Sequence, residues 1–117
     1  MLTLPEPVRI LLCAQATDMR KGFDSLAALV REELGQDPLS GHLFVFRSRR
    51  GNRIKLLWWD RDGFCLVYKR LEEGTFRCPA VSANARSVQV SAQELSLLLW
   101  GIDPASVRRQ KRYVRPA

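Results

Sequence analysis

Histidine and cysteine are scarce in this chain, with one His and three Cys among 117 residues. A histidine-based zinc site or a Ser/His triad would rest on His42 alone, and its place after Gly41 in a strand-like segment favours a structural role. Cys13, Cys65 and Cys78 are odd in number and widely spaced, a pattern that suits neither a disulfide framework nor a CxxC knuckle. They read as reduced, structural thiols. No run approaches the roughly 18 apolar residues of a membrane span, and the opening segment lacks the basic head of a secretory signal. The expectation is a soluble cytoplasmic protein with no membrane partner. GxxxxGK[ST], HExxH and GxSxG are also missing, so neither an enzyme nor a cofactor is implied.

Acidic residues are outnumbered, 12 Asp plus Glu against 19 Lys plus Arg, for a formal charge of +7. The sequence pI is near 10.0. Such a surface attracts polyanions. Hydrophobic residues make up 46% of the chain, enough for one core, and the length fits one domain, taken as residues 1–103. Residues 104–117 read as a basic, flexible tail carrying Arg108, Arg109, Lys111, Arg112 and Arg115.

Val8 to Cys13 is a short apolar run that reads as a strand. Phe23, Leu26, Ala27, Val30 and Leu34 then form one helical stripe, with Asp18 as its candidate cap, Gly22 marking either close packing or a later start, and Gly35 as its stop. Three segments rich in aromatic and branched residues follow, 42–47, 53–59 and 64–71, and predict an antiparallel meander. Their connections, Ser48 to Asn52 and Asp60 to Gly63, carry strong turn chemistry, with Gly51 available for positive φ. Val88 to Val90 predicts a short strand. Ser91 and Glu94 form a capping-box pattern ahead of Leu95, Leu98, Leu99 and Ile102, with Gly101 and Pro104 as stops. The expected fold is α+β, an antiparallel sheet of about four or five strands with two amphipathic helices on one face and a basic surface on the other.

Between Arg47 and Lys55 five cations stand among nine residues without an acid: Arg47, Arg49, Arg50, Arg53 and Lys55. A hairpin tip so charged suits a phosphate backbone, because each guanidinium offers a planar donor fork. The plainer reading is a solvated tip that resists aggregation. Alternation puts Arg53, Lys55, Leu57 and Trp59 on one strand face, a mixture of cations and an aromatic ring that suits single-stranded nucleic acid; Trp59 equally suits packing beneath a helix. Lys69 repeats the mixture on the next strand. Asp60 and Asp62 are the pair a metal-dependent nuclease would need, but they fall at turn positions where Asp bonds its own backbone. Asp18 and Asp24 read as cap and helix surface.

Several blocks occur in a specific order: Asp18-Met19-Arg20-Lys21-Gly22-Phe23-Asp24, Leu43-Phe44-Val45-Phe46-Arg47, Arg53-Ile54-Lys55-Leu56-Leu57-Trp58-Trp59-Asp60 with Gly63-Phe64, and Tyr68-Lys69-Arg70-Leu71-Glu72. Together they resemble the TnpB-type accessory protein, the second open reading frame, of the insertion sequence sixty-six family of bacterial transposable elements, over residues 5–103. The resemblance implies a non-catalytic helper of DNA transposition, encoded beside a separate transposase. Cys78 and Val67 stand where aromatics are frequent in the family. The working expectation is DNA binding, to the element's ends or target, through Arg47, Arg49, Arg50, Arg53, Lys55, Trp59, Lys69 and the tail cations. The alternative is a protein-interaction module that docks on the transposase. Neither oligomeric state nor a preference for DNA over RNA follows from the sequence.

Overall fold

Two central apolar segments, Ile10–Cys13 (β1) and Leu43–Arg47 (β2), run without polar alternation, and this decides the architecture. Strands of that kind are buried on both faces. The computed structural model describes residues 8–101 and 112–116. Its elements are β1, α1 (Phe23–Glu32), β2, β3 (Arg53–Asp60), β4 (Gly63–Arg70), β5 (Ser87–Val90) and α2 (Ala92–Trp100). They build one five-stranded sheet in the order β4-β3-β2-β1-β5. The β2–β3 and β3–β4 pairs are antiparallel hairpins and β1–β5 is an antiparallel pair of strands distant in sequence, whereas β1 and β2 are parallel and joined through α1. The fold is α+β as expected, with a meander over β2–β4 and one parallel step beside it.

The helices do not share a face. One core layer gathers Ile10, Leu12, Leu43, Val45, Ile54, Leu56 and Trp58 with Leu98 of α2 and Phe76. The other gathers Leu11, Cys13, Phe44, Phe46 and Leu57 with Leu26 and Val30 of α1 and with Leu34. The expectation of two helices on one face with an open basic face opposite is therefore corrected. Both faces of the central strands are apolar, and each needs its own cover.

α1 starts later than Asp18. Gly22 is its N-cap, the Gly22 N–H donates to Ser25 Oγ at 3.0 Å, and Asp18 instead accepts the Arg20 backbone N–H in a local turn. Of the predicted stripe, Leu26, Ala27, Val30 and Leu34 are buried while Phe23 remains 48% exposed. Gly35, at φ +64°, ends the helix, and the Gln36 N–H reaches back to the Val30 carbonyl. α2 follows its sequence signature closely. Ser91 Oγ accepts the Glu94 N–H at 3.0 Å, Glu94 Oε1 accepts the Ser91 N–H at 2.9 Å, and Gly101 closes the helix in the left-handed region.

Candidate nucleic-acid interface

The β2–β3 connection is a tightly bonded tip rather than a loose loop. Ser48 and Arg53 close it, with the Ser48 N–H donating to the Arg53 carbonyl at 2.9 Å and the Arg53 N–H to Ser48 Oγ at 3.1 Å. Gly51 turns the chain at φ +77°. Two residues beyond Gly74, the chain passes under this tip: the Phe76 N–H donates to the Gly51 carbonyl at 2.7 Å, and the Phe76 carbonyl accepts Arg47 Nε at 2.8 Å. Phe76 itself is fully buried, so it anchors the tip to the core. A Cβ at position 51 would collide with the Arg47 guanidinium.

Arg49 and Arg50 project from this scaffold, both exposed and neither in an ion pair among the described residues. A cleft of about 320 Å³ lies beside them, lined by Thr17, Asp18, Met19, Ser48, Asn52 and Arg53 as well. The turn before α1 thus comes up against the hairpin tip, and the Thr17 N–H donates to the Arg47 carbonyl at 2.9 Å. Arg20 in that turn holds Asp18 through a 2.7 Å ion pair. Hydrogen bonds from Arg20 keep the Asp18 carboxyl down at about 2, against an ordinary value of 3.8.

The other cations of the predicted site are divided between the two sheet faces and largely engaged. Arg53, on the α1 side, donates to the Tyr68 hydroxyl at 3.1 Å. Lys55 is buried at 7% exposure, and its ammonium donates to the carbonyls of Met19 at 2.8 Å and Lys21 at 2.7 Å while lying 4.6 Å from the centre of the Tyr68 ring. It pins the turn before α1 to the sheet and has no free donor face for phosphate. Trp59 is half-buried, edge-on to Phe64 with ring centroids 5.0 Å apart. On the α2 side, Lys69 Nζ donates to the Leu99 carbonyl at 2.6 Å. Arg112 reaches the Leu98 and Leu99 carbonyls, each at 3.1 Å, with its guanidinium 5.4 Å from the centre of the Phe76 ring. Two cations therefore satisfy the open carbonyls at the negative end of α2. Burial, and next the charge of Arg112, push the Lys69 ammonium below the ordinary lysine value. Arg115 is exposed, and Arg108, Arg109 and Lys111 lie outside the described residues.

The structure brings Arg49, Arg50 and Arg53 to one cleft, and sequence reasoning missed the turn from Thr17 to Met19 that lines it with them. No pattern of residue types marks that approach, because the joining bonds are to backbone carbonyls. His42 is structural, its Nδ1 accepting the Arg9 N–H at 3.1 Å. Burial raises the thiol pKa of both Cys13 and Cys78. Among the described residues no three His, Cys, Asp or Glu side chains are placed to hold a metal, and no helix is long and apolar enough to cross a membrane.

Comparison with known proteins places these observations in a family context. The family model described as IS66 Orf2 like protein matches residues 8–109. Two uncharacterized proteins of Sinorhizobium fredii are similar: y4hO is 47% identical over 103 residues, covering 88% of each chain, and y4jC is 40% identical over 103 residues, covering 88% of this chain and 86% of its own. No solved structure matches.

Proposed function

Because the chain belongs to the IS66 Orf2-like family, whose members are accessory proteins of transposition, we propose that it serves its element by binding DNA through the β2–β3 tip. The observation that carries this reading is the contrast at the tip: Arg49 and Arg50 are exposed and unpaired on a backbone fixed by Ser48, Gly51 and Phe76. A rigid mount matters because ordering a flexible loop would oppose binding by about 0.5–1.5 kcal/mol for each immobilised long side chain. Arg53 lines the same cleft and extends the donor surface, and Arg20 is bonded to Asp18 of its lining. Arg108, Arg109, Lys111 and Arg115 add non-directional attraction. Lys55, Lys69 and Arg112 are assigned to structure instead, since each is spent on backbone carbonyls.

Labelled element-end DNA and unrelated DNA, each titrated with the protein across a salt series, test the proposal. Each phosphate contact contributes about −0.9 to the log–log slope, so Arg49→Ala/Arg50→Ala should flatten it by roughly 2 and weaken binding about tenfold at moderate salt. Preference for the ends would make the protein a recognition factor for its element. Negligible binding at low salt, or an unchanged slope in the double variant, overturns the tip as the DNA site.

A second reading, docking on the element's transposase, is favoured by the exposure of Trp100 at 53%, Tyr113 at 52% and Val114 at 72%. Aromatic groups left in solvent are typical anchors of protein interfaces. Co-purification with the transposase at high salt, lost in Trp100→Ala, would support it, whereas DNA-dependent co-purification alone would count against it.

A further inference from the structure

β4 is an edge strand of eight residues, paired with β3 from Arg53↔Arg70 to Asp60↔Gly63 in unbroken register. No bulge twists this edge away, and neither Pro nor a covering element among the described residues blunts it. Such edges invite further pairing. The direction of its free backbone groups follows from one bond: the Leu71 N–H donates to Asn52, toward β3. Peptide groups alternate in an antiparallel ladder, so odd-numbered residues bond to β3 while Phe64, Leu66, Tyr68 and Arg70 direct their N–H and C=O outward.

We propose that β4 pairs with β4 of a second copy of this chain, antiparallel about a two-fold axis at Leu66, joining two sheets into one. The register is set by complementarity. Centring on Leu66 places outward-facing groups opposite outward-facing groups, so Phe64, Leu66 and Tyr68 each gain two backbone hydrogen bonds. It sets Phe64 against Tyr68 of the second copy, Leu66 against Leu66, and Asp62 against Arg70, each heterologous pair occurring twice by symmetry. Tyr68 is 48% exposed and Val67 38% exposed in the single chain, so both lie where the ladder would cover them. Arg61 in the β3–β4 turn comes beside Leu71 and Glu72 of the second copy. Shifting by two residues one way sets Arg61 against Lys69, like charge on like; shifting the other way leaves Asp62 without Arg70. A second copy therefore fits this edge better than an arbitrary strand, because its sequence is complementary to itself in one register.

Two consequences distinguish this arrangement. Cys65 falls opposite Val67 of the second copy in a pair without mutual hydrogen bonds, where Cα atoms approach to about 4.5 Å, within disulfide range. Leu66 has an N–H that β3 does not use, so Leu66→Pro removes a bond from the dimer and none from the monomer.

The test is the molar mass of the full chain by sedimentation, with mild oxidation of Val67→Cys. The expected result is a doubled mass that rises with concentration, reduced to the single-chain mass by Leu66→Pro and by Asp62→Arg. The exchanged variant Asp62→Arg/Arg70→Asp should restore the doubled mass, which separates lost pairing from lost folding. Oxidised Val67→Cys should give a covalent dimer linked between position 67 and Cys65, abolished by adding Cys65→Ser. A single-chain mass throughout overturns the proposal. So does a dimer indifferent to Leu66→Pro and to charge exchange, or one whose cross-link joins other positions; either would place the contact elsewhere, for example at Trp100.

Discussion

The hairpin tip and the C-terminal end of α2 both gather positive charge, yet they hold it differently. At the tip the backbone bonds are satisfied by Ser48, Gly51 and Phe76, so Arg49 and Arg50 have nothing to hold and face solvent. At the end of α2 the open carbonyls of Leu98 and Leu99 are met by Lys69 and Arg112. Lys55 belongs with the second group, since it holds the turn before α1. The lesson is that net charge counts cations, whereas binding depends on cations without internal work. Lys55, Lys69 and Arg112, all counted in the basic patch read from sequence, hold backbone carbonyls.

The sharpest way to break this comparison is Lys55→Ala. If Lys55 is structural, the variant strands two carbonyls and loses a charged donor inside the α1-side layer, costing about 3 kcal/mol of stability in a denaturant titration. DNA affinity, measured where the variant is still folded, should fall much less than for Arg49→Ala/Arg50→Ala. Full stability with lost DNA binding would move Lys55 to the other group. Gly51→Val comes next. It places a β-branched residue at φ +77° and drives its Cβ into the Arg47 guanidinium, for a loss of roughly 1–3 kcal/mol. Arg49 and Arg50 remain present in this variant, so weakened DNA binding at unchanged charge would show that the mount matters as well as the cations.

Which of these features the sequence discloses depends on whether the partner is local. The Ser91/Glu94 cap, the Gly101 stop and both hairpins of the meander are readable because their partners lie within a few residues. Arg49 and Arg50 are readable for the same reason, at a turn marked by Gly51. The start of α1 was harder: Asp18 is a good cap residue, but its carboxylate is taken by Arg20 two residues on, and Gly22 begins the helix. The parallel β1–β2 pairing joins residues over thirty positions apart, as Ile10↔Leu43 shows, and no turn chemistry announces it. The apolar runs of β1 and β2 do signal burial on both faces, which is why α1 and α2 are separated by the sheet. The fate of Lys55 and Lys69 was hidden for a different reason. Their acceptors are backbone carbonyls, present at every residue and so unmarked in any sequence.

The smallest effect tests the boundary between the two kinds of cation. Arg20 is itself exposed but is bonded to Asp18, which lines the tip cleft, so it is available to phosphate only by leaving that partner. Because the pair depresses the Asp18 carboxyl to about 2 in the folded chain, its contribution is fully present above the ordinary value of 3.8 and is lost as pH falls through about 2. Carboxyl-resolved NMR titration should therefore find Asp18 ionised to unusually low pH, and Arg20→Ala should return it toward 3.8. Saturating DNA should raise it as well if Arg20 transfers to phosphate, since the carboxylate then loses its principal donor. A midpoint unmoved by DNA would put Arg20 with Lys55 and Lys69, and leave Arg49, Arg50 and Arg53 as the described donors of the tip.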